Sequence, residues 1–556
     1  MKKFSITYFL AGIVLTCTLL TTYAFSTNPS FFEITKNMDV FASLYKELNT
    51  YYVDELNPER LIQTGLAEMC NSLDPYSDFI PEEDIPEYRQ QTTGRYGGIG
   101  AIIGTRGDDV MITEPYESFP AAKAGLRAGD KILSIDGKSA KKLNSDEVSR
   151  MLKGKPGTTV SVRVARPQAE GKDQEMDVVL TREEIKIKNV PYFGMLTNDI
   201  GYIRLSSFTE KASNEVRTAL NMLEAKHQLK GLIFDLRGNP GGLLNEAINT
   251  AGVFVDKNTE IVSTRGKTND QNSTAVSTVE PADTKVPMVV LTDGGSASAA
   301  EIVSGSMQDL DRAVIVGQQT YGKGLVQSTR SLPYNAKLKL TTAKYYIPSG
   351  RCIQAINYAD RSEDGSVKRK ADSLKVAFKT RNGRTVYDGV GINPDVELEP
   401  EKLSQVAIAL ITKNILFDYS INYRAGHEAI GNARTFTLTD KDYDDFVAYV
   451  SSKDFNYTTQ SEHSLEQLKK TAEKEKVYDA ILSEYNEMKQ KMMHDKKQDL
   501  IKEKKQIKGI LEEEIASRYT LNAGRIEASL KNDADVIKAV ELLNTEGKVA
   551  GILKGK

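Results

Sequence analysis

The chain has 556 residues, of which 40% are hydrophobic and 27% are charged. This length is too great for one compact domain and predicts about three to five domains. The net charge of −3 and the isoelectric point near 6.1 argue against a protein that binds nucleic acid or anionic membranes.

The first 25 residues resemble an export signal. Lys2 and Lys3 precede a long apolar run, which is the usual order of such signals. Thr22 and Ala24 are small residues that offer a cleavage point near its end. The run is also just long enough to span a bilayer, so removal as a signal peptide and retention as a membrane anchor both stay open. In either case we expect an exported protein, in the periplasm or at the outer face of the cytoplasmic membrane.

Two regions of different character follow this segment. Residues 30–90 contain amphipathic helical patterns and end in a loop-rich boundary with Pro75, Pro81 and Pro86. Residues 91–183 instead alternate short apolar strands with glycine turns, as in YGGIGA and DKILSIDG. The sequence therefore predicts an N-terminal helical region and then a small β-rich domain.

Residues 184–400 alternate buried-type strands with helical patterns. GLIFDL and PMVVLTD are each followed by a glycine turn and then by a helical segment. This alternation is typical of parallel βαβ units. Within the region, the polar stretch 263–285 predicts a surface excursion, and KLKLTTAKYYIP predicts a β-ribbon.

Residues 401–556 have a mostly helical pattern. From residue 464 onward they are rich in Lys and Glu, with spaced Leu, Ile, Tyr and Met. This pattern favours a solvated helical bundle. An arm for interaction or dimerisation is the alternative.

The strongest chemical signal is the segment MVVLTDGGSASAAE. A buried strand ends in Gly294 and Gly295, and a helix begins after a few small residues. Ser296 and Ser298 both lie in this turn, where the unpaired amides of the helix N-terminus favour a developing negative charge. One helix and one strand later, Lys323 lies in a second glycine turn. In a βαβ unit the two turns can converge on the same end of the sheet.

A lysine can serve as the general base of such a serine. The four histidines lie on helical patterns, three of them in the C-terminal region. Their positions therefore argue against a Ser–His–Asp triad. Lys323 can act as a base only when neutral, and burial lowers the pKa of a lysine from its usual value of about 10.4. Gly322 and Gly324 would let the backbone place it in a pocket. A lysine in an exposed turn is the alternative.

A second glycine turn, DLRGNPGG at 235–242, also joins a buried strand to a helix. The amides of Gly241 and Gly242 could form half of an oxyanion hole, and the Ala299 amide could form the other half. Alternatively, the glycines serve only a tight turn that requires positive φ. The sequence has no CxxC or HExxH motif, so we expect no metal site. We also expect no cofactor.

The segment SASAAE, followed 25 residues after its second serine by the lysine of TYGKGLVQ, closely resembles the C-terminal processing (tail-specific) peptidases. These are Ser–Lys proteases with a Clp-protease/crotonase-like catalytic fold. The likeness continues through LDPYSDFI, YGGIGA, PAAKAGLRAGDKILSIDG, LRGNPGG, LKLTTAKYYIPSGRCIQ and GVGINPDVELEP, over about residues 40–400.

The resemblance implies a multidomain α/β protein in which a PDZ-like domain precedes a catalytic core of βαβ units, with helical regions at both ends. The expected regions are 1–25 (signal peptide or anchor), 30–90 (helical), 91–183 (PDZ-like), 184–400 (Ser–Lys peptidase) and 401–556 (helical).

The resemblance also implies roles for individual residues. The second serine of SASAAE, Ser298, corresponds to the nucleophile, and Lys323 corresponds to the general base. Gln327 matches the polar residue that orients the lysine. Gly242 and Ala299 match the amides of the oxyanion hole, whereas Gly241 fits less clearly.

The likeness of the β-rich domain to a PDZ domain implies recognition of C-terminal tails. The amides of Gly98, Ile99 and Gly100 would hold the terminal carboxylate of a peptide that adds as a β-strand. We therefore expect an endopeptidase that recognises the tails of exported proteins and cleaves with a Ser–Lys dyad. Homo-oligomerisation through the terminal helices stays open. The alternative function is a PDZ scaffold or regulator with a silent protease domain.

Overall fold

The computed structural model describes residues 29–168, 173–361, 367–369, 375–453, 455–492 and 496–555. The expected export segment, 1–25, lies outside the described residues. No helix of the described part is long and apolar enough to cross a membrane. The chain divides into two compact units, one formed by the residues up to Glu82 with Thr329–Leu340 and the other by Glu83–Ser328 with Thr341–Lys556.

The first unit is helical, which confirms the predicted character of the N-terminal region. It contains α1 (Pro29–Tyr51), α2 (Pro58–Asn71) and the short strand β1 (Asp78–Ile80). Helix α2 begins after Asn57, whose side chain accepts a hydrogen bond from the Arg60 amide, as expected of an N-cap. Strand β1 pairs antiparallel with residues 337–339.

The second unit begins with the predicted β-rich domain. Its helices are α3 (Ile85–Thr93), α4 (Pro120–Lys123) and α5 (Ser145–Leu152). Its strands are β2 (Arg95–Gly98), β3 (Ala101–Arg106), β4 (Asp109–Pro115), β5 (Lys131–Ile135), β6 (Lys138–Ser139), β7 (Thr159–Arg166), β8 (Gln174–Thr181) and β9 (Glu183–Lys186). One antiparallel sheet has the order β3-β4-β5-β7-β8, with β6 beside β5, whereas β2 pairs with β9. Because β3 is at one end of this order and packs against α5, a groove forms along its edge.

The catalytic region continues the unit. Its helices are α6 (Ala212–Glu224), α7 (Leu244–Ala251) and α8 (Ala299–Asp309). Its strands are β10 (Tyr192–Met195), β11 (Ile200–Arg204), β12 (Gly231–Asp235), β13 (Glu260–Gly266), β14 (Ser273–Val276), β15 (Met288–Thr292), β16 (Val314–Gly317), β17 (Leu325–Ser331), β18 (Lys337–Tyr346), β19 (Ile356–Arg361), β20 (Val367–Arg369), β21 (Ala377–Lys379), β22 (Thr385–Tyr387) and β23 (Val396–Glu397). The central sheet has the order β10-β11-β12-β15-β16-β23. All of its neighbours are parallel except β10 with β11, which confirms the βαβ prediction.

The predicted surface excursion at 263–285 is partly wrong. Residues 273–276 form β14, which pairs antiparallel with β13, and β13 pairs in turn with β18. The segment therefore extends a sheet rather than leaving the body of the domain. In β14, Ser273 and Thr274 are exposed and Ala275 and Val276 are half-buried; the polar composition of the stretch concealed this short strand.

The C-terminal region is helical, as predicted. Its helices are α9 (Gln405–Thr412), α10 (Ile415–Gly426), α11 (Asp440–Ser452), α12 (Gln460–Lys474), α13 (Leu482–Met492), α14 (Lys496–Lys502), α15 (Lys504–Ser529), α16 (Ala534–Asn544) and α17 (Lys548–Leu553). Most of the region surrounds its own apolar core, which includes Phe446, Leu511 and Ile515.

Both faces of the central parallel sheet are covered. Helices α6, α7 and α8 pack on one face, through residues such as Leu220 and Val303. On the other face, Val289 of β15 packs in one apolar cluster with Val536 and Leu542 of α16. A parallel sheet is normally buried on both sides, so the C-terminal helices complete the catalytic core.

Candidate active site

The turn that carries Ser298 joins β15 to α8. Ser298 has φ 55° and ψ −113°, a conformation that L-residues rarely adopt. Every residue of α8 is buried, whereas Ser298 is half-buried. The fold therefore presents Ser298 at the surface end of a buried helix, where the amides of the first turn lack helical partners.

The neighbouring Ser296 has a different environment. It is fully buried, and its hydroxyl donates to the Leu236 carbonyl at 2.9 Å and accepts from the Asp293 amide at 3.0 Å. These bonds hold the Ser296 hydroxyl inside the turn. Of the two candidate serines in this turn, Ser296 is thus the one whose hydroxyl is used in hydrogen bonds that hold the fold.

A buried carboxylate joins the serine turn to the lysine turn. One oxygen of Glu301, Oε2, accepts from the amides of both Ser298 and Lys323, each at 2.8 Å. The other, Oε1, accepts from the Thr320 hydroxyl at 2.5 Å and from the Gly322 amide at 2.8 Å. Burial raises the pKa of Glu301 to about 7, and these four hydrogen bonds oppose the rise. Because two amides share one oxygen atom, the backbones of Ser298 and Lys323 are close neighbours.

Tyr345 of β18 forms a second link between the same turns. Its hydroxyl contacts the Ser298 carbonyl at 3.1 Å and also the Lys323 carbonyl. The side chain is almost fully buried. The two turns are therefore tied through their amides by Glu301 and through their carbonyls by Tyr345.

Sequence reasoning missed both linking residues. Glu301 is the last residue of SASAAE, three positions after Ser298, which is the spacing of a helix-capping acid. That signal was available. Tyr345 lies 47 residues after Ser298, so no local spacing could reveal it.

The lysine turn follows β16, the strand next to β15. Lys323 is half-buried between Gly322 and Gly324, and both glycines are buried. Gly322 has φ 90°, and a Cβ there would lie 2.4 Å from the Cβ of Ala355. A side chain at this position is thus excluded by conformation and by space. Gln327 lies on β17, where its amide donates to the Thr341 hydroxyl at 3.2 Å.

The glycine turn of 235–242 packs directly on the serine turn. A Cβ at Gly241 would lie 2.8 Å from the Cβ of Ser298. The Gly241 amide donates to the Asn239 side chain at 2.9 Å. By contrast, the amides of Gly242 and Ala299 have no acceptor among the described residues. This difference favours Gly242 and Ala299 over Gly241 as donors to an oxyanion.

The groove between β3 and α5 forms a cavity of about 240 Å³. Ile99 and Gly100 line it, whereas Gly98 pairs with Glu183 in the β2–β9 ladder. Two of the three residues predicted to bind a peptide therefore face the groove. Lys153 also lines the cavity and lies 5.3 Å from the ring centroid of Tyr96.

Comparison with known proteins agrees with this architecture. Residues 199–360 match the description "Peptidase family S41". Residues 111–166 match "PDZ domain", and residues 406–543 match "Probable PDZ-protease, C-terminal helical domain". The fold and these matches define a serine-type peptidase with a PDZ domain.

Individual relatives indicate which kind of serine-type peptidase this chain is. A carboxy-terminal-processing protease of Bartonella bacilliformis is 38% identical over 353 residues, which is 63% of this chain and 80% of the relative. A probable CtpA-like serine protease of Staphylococcus aureus is 34% identical over 319 residues, 57% of this chain and 62% of the relative. A solved photosystem II D1 C-terminal processing protease is 26% identical, covers 66% of this chain and 93% of its own, and has a TM-score of 0.35. The chain belongs to peptidase family S41, among the carboxy-terminal-processing proteases.

Proposed function

We propose that this protein is an endopeptidase that cleaves peptide bonds with Ser298 as nucleophile and Lys323 as general base. The observation that carries the proposal is the shared carboxylate of Glu301, which accepts from the amides of both residues at 2.8 Å. A dyad needs its two members at a fixed separation. The buried carboxylate supplies such a constraint.

In the proposed reaction, neutral Lys323 takes the hydroxyl proton of Ser298 while the oxygen attacks the scissile carbonyl. The amides of Gly242 and Ala299 donate to the resulting oxyanion. Lys323 then returns the proton to the leaving amine, and water hydrolyses the acyl-enzyme. Gln327, four residues after the lysine, orients it. No metal or cofactor takes part.

The PDZ domain would select the substrate. We propose that the C-terminal tail of a substrate protein adds as a strand to the free edge of β3. Its carboxylate would lie at the amides of Ile99 and Gly100, which line the groove, and not at Gly98, which pairs with Glu183. The lining of the groove is mixed, and its apolar members, such as Ile103, Leu152 and Ile187, favour an apolar side chain on the tail. Residues 1–25 would direct the protein to the periplasm or to the outer face of the cytoplasmic membrane.

Cleavage of an unfolded test protein with an apolar tail tests the proposal. The wild type should cleave it, whereas Ser298→Ala and Lys323→Ala should lose activity and still bind the tail. Ser296→Ala is the matched control, because it removes a buried hydroxyl of the same turn. It should keep activity while its free energy of unfolding falls by about 1 kcal/mol.

A PDZ scaffold with a silent protease domain is the alternative function. It predicts that the wild type binds the tail but leaves the test protein intact at every pH between about 6 and 10, a range that includes the pKa expected of a partly buried lysine. Activity that survives in Ser298→Ala would refute the dyad.

A further inference from the structure

The arginine of the LRGNPGG turn is bound by the C-terminal helical region. Both carboxylate oxygens of Asp533 accept from the Arg237 guanidinium, at 2.9 and 2.7 Å. Asp535 accepts from the same guanidinium at 3.0 Å. Asp235, which ends β12, accepts from it at 2.7 Å. One cation thus joins the end of a catalytic strand to the start of α16.

This cluster is shielded from solvent. The Arg237 side chain is 14% exposed, and those of Asp533 and Asp535 are 17% and 11% exposed. Planar, bidentate pairing of this kind fixes the geometry as well as the distance. Its strength is much less reduced by solvent than that of a surface ion pair.

Arg237 begins a turn whose remaining residues reach the proposed oxyanion hole. The Gly238 amide donates to Asp293 at 2.8 Å. Asn239 accepts from the Ala297 amide at 2.9 Å and, through its side chain, from the Gly241 amide at 2.9 Å. Gly242 follows directly. A shift of Arg237 would therefore move the turn that carries one oxyanion donor.

The two aspartates that bind Arg237 lie at the start of α16, which is held in place by other contacts. Asp533 is the N-cap of α16, and its side chain accepts from the amides of Asp535 and Val536. The same helix packs on the central sheet through Val536, Ala539 and Leu542. The carboxylates are therefore held on a helix that is already fixed to the catalytic core.

We propose that Asp533 and Asp535 are positioning residues for catalysis, which hold Arg237 and thereby the turn that presents the Gly242 amide. This inference rests on the proposed function, because it assigns a role to residues that act through the oxyanion hole. It gives the C-terminal helical region a part in the chemistry itself, in addition to its apolar cover of the sheet.

Asp533→Asn is the first test, because asparagine keeps the N-cap but loses the negative charge. With a fluorogenic peptide substrate, we expect kcat per titrated active site to fall about 10-fold with KM unchanged, as for an interaction made in the transition state. Affinity for a peptide aldehyde should fall by a similar factor. Asp440→Asn is the control, since Asp440 lies in the same region and its exposed side chain pairs with Lys504; it should match the wild type.

A double substitution tests whether Arg237 transmits the effect. If it does, Arg237→Gln combined with Asp533→Asn should be no slower than Arg237→Gln alone. Independent effects that multiply would overturn the proposal. So would an unchanged kcat in Asp533→Asn, even with a lower melting temperature, because that result is the signature of a purely structural cluster.

Hydrogen exchange of the turn at 236–243 separates this inference from the proposed function. Asp533→Asn should speed exchange there, and Asp440→Asn should not. This readout is independent of proteolysis, so it decides the positioning role even if wild-type protein fails to cleave. Unchanged exchange in Asp533→Asn would refute the inference while leaving the Ser298–Lys323 dyad intact.

Discussion

Two buried carboxylates near the serine and lysine turns are held in opposite ways. Asp235, at the end of β12, lies against the Arg237 guanidinium and the Tyr202 hydroxyl. Although burial alone would raise its pKa, the guanidinium lowers the pKa of Asp235 to about 2. Glu301 has only neutral donors, and burial raises its pKa to about 7. The adjacent cation therefore keeps the Asp235 carboxylate ionised, whereas neutral donors leave Glu301 able to titrate near neutral pH.

Among the residues that link the serine and lysine turns, Glu301 should show the largest effect when it is replaced by glutamine. Glutamine has one acceptor oxygen in place of two, so in either orientation its NH2 group faces at least one backbone amide that now donates to Glu301. We expect kcat to fall by about 100-fold, the scale of a reactant misplaced by roughly 1 Å. Steady-state cleavage of a tailed peptide measures it. Glu215→Gln is the matched control, because Glu215 is a partly buried acid of α6. Asp309→Asn would not serve, because the Asp309 carboxylate pairs with buried Arg351. A fully active Glu301→Gln enzyme would show that the shared carboxylate is dispensable.

The two carboxylates should also differ in how they affect stability with pH. The raised pKa of Glu301 means that folded protein holds a proton that the unfolded chain has lost, between pH of about 4.5 and 7. Its contribution to stability is therefore complete below about 4.5 and is lost as the pH rises through 7. Urea unfolding should show a loss of about 1.4 kcal/mol per pH unit in this window from Glu301.

Substitution distinguishes this contribution from that of Asp235. Glu301→Gln should remove the slope between pH 5 and 7. Because the pKa of Asp235 is lowered, its stabilising contribution is present above its usual value of 3.8 and is lost only as the pH falls towards 2. Asp235→Asn should therefore leave the slope between pH 5 and 7 in place. The reverse pattern would contradict the assignment of the two sites.

Tyr345→Phe should have a smaller effect on the same pair of turns. It removes the hydroxyl that lies between the Ser298 and Lys323 carbonyls and keeps the buried ring. We expect kcat to fall about 10-fold and stability by about 1 kcal/mol, the worth of one hydrogen bond. Tyr443→Phe is the control, since its hydroxyl is also buried and bonded but lies in the helical region. Equal losses of kcat in both variants would rule out a specific role for Tyr345.

The smallest effect on activity should follow Glu514→Gln in the helical region. Glu514 pairs with Arg518 and Arg525, and Arg518 also donates to the Thr113 carbonyl of the PDZ domain. Burial, together with the nearby Arg525, lowers the pKa of Arg518 to about 9. Loss of the carboxylate should lower the free energy of unfolding by about 3 kcal/mol, with kcat unchanged. A loss of activity at full stability would extend the catalytic role of the helices to this contact.

The motifs predicted the parallel sheet and the glycine turns that follow its strands, because each depends on a short, local pattern. SASAAE and TYGKG placed Ser298 and Lys323 after neighbouring strands. Tyr345 and Asp533 could not be found in this way, since each reaches the site from a distant element. The pairing of β13 with β14 was missed because β14 is only four residues long and the polar residues around it have the composition of a loop.

Acylation followed by intact mass is the most direct test of the dyad. Wild type, Ser298→Ala and Lys323→Ala would be mixed with an activated peptide ester, and any adduct would be located by peptide mapping. The Ser298–Lys323 dyad predicts an acyl group on Ser298 in the wild type, none there in Ser298→Ala, and at least about 1,000-fold slower formation in Lys323→Ala. An adduct on Ser296, or equal rates with and without the lysine, would contradict it.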